Sequence, residues 1–322
     1  MIILLWLLFL VQAAHAGKIT EEENSKLKER CSKSAVAPNV YKRYRADRSK
    51  YPFAVALSYD DNGSHSAPFC SGVLISYRHI LTAAHCLVIN KTEACNKSLT
   101  TGQLQLQGLP AQRLGVFLPS NCSTSKCWVG KDIHRVASVH RDRNYDNVNE
   151  ACKNTSSYDI GVIELEGDVR GPPICMPQAN DAIPQKAKSI GYGPYNRSVE
   201  VDGRSMQVED YSMQAVDYDS VQEDPDPKEK AALVAYTKHK NEATISGDSG
   251  GPLLQKLIGK YYLVGTTTTS TNPDPANPAE VMESWFVDVR KKLDWICDET
   301  GVCPLTDSGE SKRPPSEEEE SS

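Results

Sequence analysis

Three residue types spaced along this chain could together activate an alcohol. His85 stands in Leu81-Thr82-Ala83-Ala84-His85-Cys86, Asp159 in Tyr158-Asp159-Ile160-Gly161-Val162, and Ser249 in Gly247-Asp248-Ser249-Gly250-Gly251-Pro252. A serine hydroxyl is a poor nucleophile at neutral pH; it needs a base within hydrogen-bond reach, and that base needs an orienting partner. An imidazole suits the base because its ordinary pKa lies near neutrality. A carboxylate at the mouth of an apolar run suits the orienting part. The glycines around Ser249 let the backbone turn sharply, so that the amides of Gly247 and Ser249 converge on one point. Donors so placed stabilise a developing oxyanion by about 3 kcal/mol each. Taken singly, each residue has an ordinary explanation: a structural histidine beside a cysteine, a solvated aspartate at a strand edge, a serine in a tight turn. Two long strings in the order His, Asp, Ser make the joint reading the better one.

Such groups need rigid elements to hold them. From Tyr51 onward the chain shows short apolar runs broken by Gly, Asn, Asp and Pro, such as 53–57, 72–75, 160–165 and 261–265. These read as strands, and their number argues for an all-β sandwich or barrel. The stretch from Trp285 to Ile296 places apolar residues at helical spacing and predicts a C-terminal helix. Glu21 to Arg30 is helix-compatible. The stretches Asn90–Asn149 and Glu209–Asn241 read as long loops, and the Ser, Glu and Pro-rich segment after Pro304 reads as disordered.

The chain has 322 residues, enough for one large β domain or two smaller ones, and a formal charge of -6, part of it in Glu317–Glu320. It carries no strongly basic patch, which argues against nucleic acid as a partner. Residues 2–11 are apolar but too few to span a bilayer, and Ala14-His15-Ala16 follows as a small-x-small pattern. Residues 1–16 therefore read as a secretory signal peptide, with no membrane contact after its removal. Ten cysteines fit export and disulfide formation. No Cys-x-x-Cys pair is present, so neither a metal nor a cofactor is expected. Six Asn-x-Ser/Thr sequons, at Asn62, Asn90, Asn96, Asn121, Asn154 and Asn196, suggest a glycosylated surface. Four cysteines between His85 and Asp159, namely Cys95, Cys122, Cys127 and Cys152, allow three pairings that sequence does not distinguish. Cys297 and Cys303 could close a small local loop.

The strings around His85, Asp159 and Ser249 resemble those of the trypsin/chymotrypsin-like serine peptidases. Phe69–Ser76 is similar to the family strand whose cysteine bridges to the one after the histidine, which implies Cys70–Cys86. Pro173–Pro177 is similar to the segment that tethers a propeptide cysteine, which implies Cys31–Cys175. Gly191-Tyr192-Gly193, Pro52-Phe53 and Trp295-Ile296 also resemble family landmarks. The likeness runs from about Tyr51 to Cys297, and its large nematode-expanded branch is the nearest in character. It implies two six-stranded antiparallel Greek-key barrels with a C-terminal helix, and an active site in the cleft between them. The implied organisation is a propeptide-like segment over 17–50, a peptidase domain over 51–303 and an acidic tail over 304–322. The implied activity is that of a secreted, disulfide-bonded endopeptidase made as a zymogen, with polypeptide substrates and protein inhibitors as partners.

The sequence also departs from the family. Activation there places a new amine on the aspartate before the serine, here Asp248. At the corresponding distance stands Asn39-Val40-Tyr41-Lys42-Arg43, with no basic residue just before Val40 and no Gly-Gly after it. Cuts after Lys42, Arg43 or Arg45 are conceivable; otherwise another group satisfies Asp248 or it stays protonated. The specificity pocket implied by the resemblance has Ala243 in place of a trypsin-like aspartate, Ile245 in place of a cysteine, and Thr268-Thr269-Ser270 along its wall. Ser270, in place of a family glycine, narrows it, which implies a small or uncharged substrate residue. Two functions follow: an active secreted endopeptidase, or an inactive secreted homologue that binds or regulates. An esterase with Gly-x-Ser-x-Gly is excluded, since its triad runs Ser, Asp, His.

Overall fold

The computed structural model describes residues 17–32, 44–60, 64–120, 122–129, 132–147, 151–152, 156–201, 204–237, 243–271 and 282–304. The signal-like segment 1–16, Val40, Lys42, Arg43, the sequons at Asn62, Asn121 and Asn154, and the tail beyond Pro304 lie outside the described residues.

Strands β2 (Ala54–Tyr59), β3 (Cys70–Leu74), β4 (His79–Thr82), β5 (Leu114–Phe117), β6 (His134–Arg141) and β7 (Gly161–Leu165) form a closed barrel in the order β2-β3-β4-β7-β6-β5. Every residue of β3, β4 and β5 is buried. This is why β3 shows in the sequence as the continuous apolar run 72–75 rather than as an alternation.

The second sheet combines β1 (Tyr44–Arg45), β8 (Ala187–Gly191), β11 (Gln214–Tyr218), β12 (Ser220–Glu223), β13 (Ala232–Thr237), β14 (Pro252–Leu257), β15 (Lys260–Ser270) and β16 (Met282–Asp288). Its order is β1-β11-β8-β14-β15-β16-β13-β12, so it curls into a half-barrel. Strands β9 (Tyr195–Val201) and β10 (Arg204–Asp210) pair antiparallel as a separate two-stranded sheet. The all-β class with a C-terminal helix is therefore present.

Three local expectations need correction. Trp285 to Asp288 is strand β16, and the helix α4 begins only at Leu293 and ends at Thr300. Its alternating burial, Met282, Ser284 and Phe286 inward, was hidden by the helical spacing of the residues that follow. The stretch 90–149 holds helices α2 (Lys91–Thr101) and α3 (Ser125–Val129) and strands β5 and β6. The stretch 209–241 holds β11, β12 and β13, whose small and polar residues disguised their pattern.

Helix α1 (Glu21–Arg30) opens with a capping box between Thr20 and Glu23. It is tied to both ends of the fold. The Ile19 amide donates to Thr300 O at 2.8 Å, the Arg78 guanidinium reaches Gly17 O and Glu23, and Cys31 is bonded to Cys175. The other disulfides are Cys70–Cys86, Cys95–Cys152, Cys122–Cys127 and Cys297–Cys303. Between the barrels, buried Trp128 packs against Phe117 at 5.1 Å and Tyr192 at 5.7 Å between ring centroids.

Candidate active site

Antiparallel pairing brings His85 and Asp159 together. Thr82, the last residue of β4, pairs with Gly161, the first of β7. The chain leaves β4 at the same end of the barrel at which it enters β7. His85 follows in a 3-10 turn over Ala84–Leu87, and Asp159 precedes β7 by two residues. The Cys70–Cys86 disulfide pins that turn to β3. Asp159 Oδ2 lies 2.7 Å from His85 Nδ1, and Asp159 Oδ1 accepts from the His85 amide at 2.8 Å. Both oxygens of a buried carboxylate therefore serve one histidine. This arrangement fixes the ring and places a proton on Nδ1, leaving Nε2 as an acceptor.

Ser249 sits in a turn shaped by two glycines in the left-handed region, Gly247 at φ +95° and Gly250 at φ +80°. Ser71 of β3 organises this turn from the opposite barrel. Its amide donates to Ser249 O at 2.8 Å, and its hydroxyl donates to Gly247 O at 2.8 Å. Among the described residues, neither the Gly247 amide nor the Ser249 amide has a protein acceptor. Backbone N–H groups left so are the donors an oxyanion needs.

His85, Asp159 and Ser249 line one cavity of about 290 Å³. Among the described residues no hydrogen bond joins Ser249 Oγ to His85, and in unliganded sites such contacts are commonly long. The buried Asp248 is held by backbone: Oδ1 accepts from the Gly193 amide at 2.8 Å and Oδ2 from the Ile245 amide at 2.9 Å. Cys70, His85 and Cys86 are close enough to share an ion, but both sulfurs are committed to a disulfide and are not thiolates.

The proposed pocket residues divide. Thr268 and Ser270 line the cavity, as do Thr244 and Ile245. Ala243 is buried and is not among the lining residues of this cavity, whereas its neighbour Thr244 is. Ser270 Oγ donates to Thr244 O at 2.5 Å, drawing the two walls together. Thr268 Oγ1 bonds Trp285 O at 3.1 Å and Ser156 Oγ at 2.9 Å. Among the described lining residues the sole carboxylate is Asp159, already bound to His85.

Sequence reasoning missed Lys91 and Tyr145, which also line the cavity. Burial lowers the Lys91 pKa, while the charge of Asp159 opposes this. Burial, aided by Asp159, pushes the Tyr145 phenol well above its ordinary range. No local pattern marks either residue; the insert that carries Lys91 is recognisable only by Cys95. Of the described sequons, Asn96 is exposed on α2, whereas Asn90 is half-buried with its Oδ1 accepting from the Gln107 amide at 2.6 Å.

The family model described as the nematode trypsin-6-like family matches residues 1–303. The chain is 23% identical over 276 residues to CLIP domain-containing serine protease B15 of Anopheles gambiae, covering 83% of this chain and 71% of that protein. It is 31% identical over 142 residues to trypsin 5G1 of Aedes aegypti, covering 44% and 40% respectively. Phenoloxidase-activating enzyme 1 of Spodoptera litura matches at 28% over 148 residues, covering 45% and 36%. Among the described residues no helix is long and apolar enough to cross a membrane.

Proposed function

Because this chain belongs to the nematode trypsin-6-like family of trypsin-like serine peptidases, we propose that it is a secreted serine endopeptidase. The observation that carries this reading is the pair of hydrogen bonds between Asp159 and His85 beside Ser249 in one cavity. In this mechanism His85 Nε2 takes the proton of Ser249 Oγ as the oxygen attacks the substrate carbonyl carbon. The resulting oxyanion accepts from the amides of Gly247 and Ser249. His85 returns the proton to the leaving amine, giving an acyl-enzyme, and then deprotonates the water that hydrolyses it. Asp159 stabilises the imidazolium in both steps.

The described lining residues offer hydroxyls and no carboxylate besides Asp159 for a basic side chain, which favours a small or uncharged residue before the scissile bond. Asp248, held by two amides, is the group that a new amino terminus would meet after cleavage near Val40. Labelling with a fluorophosphonate tests the activity. The secreted protein, after any cut near Val40, reacts and Ser249→Ala does not; equal reaction of both, or of neither, leaves a binding or regulatory homologue. If the active protein cleaves best after Lys or Arg, the specificity assignment is wrong.

A further inference from the structure

The turn that carries Asp159 is held from the other barrel by one carboxylate oxygen of Glu229, beside the Ser156 Oγ–Thr268 Oγ1 contact at 2.9 Å. Glu229 lies in the loop over residues 224–231 between β12 and β13. Its Oε2 accepts from the Ser156 amide at 3.0 Å, the Ser157 amide at 2.9 Å and the Ser157 hydroxyl at 2.8 Å. Ser157 Oγ in turn accepts from the Ala231 amide at 3.1 Å, so the two loops lock reciprocally. Ser156 and Ser157 are each 3% exposed, and Ser156 O accepts from the Asp159 amide at 3.2 Å. The far side of the turn is anchored separately. Lys292 bonds Asp142 at 2.8 Å and lies 4.2 Å from the Tyr158 ring centroid, and the Asp142 amide donates to Ile160 O at 3.1 Å.

We propose that Glu229 is a positioning residue for Asp159, acting across the boundary between the barrels through Ser156 and Ser157. The proposal rests on the reading of Asp159 as the carboxylate that orients His85. Three buried donors converge on one point, and an ionised oxygen is the strongest acceptor available for them. Without it two backbone amides and a hydroxyl are left buried and unsatisfied, so the turn must move to find partners. Because both Asp159 oxygens bind His85, any shift of the turn misplaces the imidazole, and misplacement by about 1 Å can cost on the order of 100-fold in rate. Glu229 touches no reacting atom, so its removal lowers the rate of acylation and spares binding.

The test uses the same secreted protein with two measurements. The first is fluorophosphonate inactivation, resolved into its limiting rate and its half-saturating concentration. The second is the low-field proton resonance of the His85 Nδ1–H bond, assigned by its loss in His85→Gln. Glu229→Ala lowers the limiting rate at least about tenfold with half-saturation changed less than about twofold, and shifts or abolishes the resonance. Glu229→Gln, which keeps an oxygen acceptor, recovers part of both. Asp224→Ala is the control: that carboxylate accepts from the Asp226 amide inside the same loop and, among the described residues, bonds no residue of the Asp159 turn. A Glu229→Ala protein with unchanged rate and resonance overturns the proposal, as does an equal loss in Asp224→Ala. If Glu229→Ala does not fold, Glu229→Gln against Asp224→Ala decides. If the wild-type protein does not label, the catalytic reading fails by itself and the resonance alone decides the positioning.

Discussion

At the scale of single residues, the site depends on positions where a side chain has no room. Gly250 combines φ +80° with a crowded Cβ direction: a Cβ there meets Thr82 Oγ1 at 2.1 Å, Ser71 O at 2.4 Å and the Ala83 amide at 2.7 Å. Two of those three atoms are backbone of β3 and of the segment leading to His85, so neither can swing aside. Gly250→Ala is therefore expected to cost about 3–5 kcal/mol, through strain and displaced backbone together. Urea unfolding checks this, and a loss below about 1 kcal/mol contradicts it. The glycine was legible as a turn signal. Its close approach to the histidine strand was not, because the two segments lie more than 160 residues apart in sequence. Asp159 was likewise legible from its apolar follower, whereas Glu229 sits in a loop without periodicity and gave no sign.

At the scale of elements, strand β4 carries a buried titratable group below the site. His79 Nδ1 lies 2.8 Å from Ser76 Oγ, and the ring is 1% exposed. Burial lowers its pKa from 6.5 to about 4, with Arg78 and His140 adding to the effect and Glu23 opposing it. Between these values the unfolded chain binds the proton and the native state does not, so stability rises with pH. The contribution is complete above pH 6.5 and is lost as pH falls towards 4, at most about 3 kcal/mol. His79→Gln should flatten the dependence of unfolding free energy on pH across that window. An unchanged slope excludes the assignment. The neighbouring strands β3 and β7 were marked in the sequence by the apolar runs 72–75 and 160–165. The helices α2 and α3 were not, because Asn, Ser, Thr and Cys make up most of α2 and α3 has only five residues. The Cys95–Cys152 and Cys122–Cys127 pairings had the same origin.

At the scale of the whole molecule, the N-terminal segment is part of the folded body. Ser32 donates its amide to Pro173 O at 2.9 Å and accepts at its hydroxyl from the Tyr261 amide at 2.9 Å. Asn24 Nδ2 reaches Cys303 O at 3.2 Å, and Cys31–Cys175 closes the attachment covalently. A cut after Lys42 or Arg43 should therefore leave both fragments in one species on a non-reducing gel and separate them only after reduction. Release of the N-terminal fragment without reductant contradicts the attachment. A cut after Arg45 is less accessible, since Arg45 pairs with Gln214 in the second sheet and Ala46 is buried.

By itself the sequence determined the chemistry on offer and the β class. Those properties reside in residue types, in glycine's conformational freedom and in apolar runs, all of which act over a few neighbouring positions. The tertiary structure alone decided which cysteines pair within the insert, that Thr244 rather than Ala243 lines the cavity, and that Ser71 and Glu229 reach across from opposite barrels. Each of these is a distance between segments far apart in the chain. Such distances are set by how the sheets close and pack, and no local pattern encodes them.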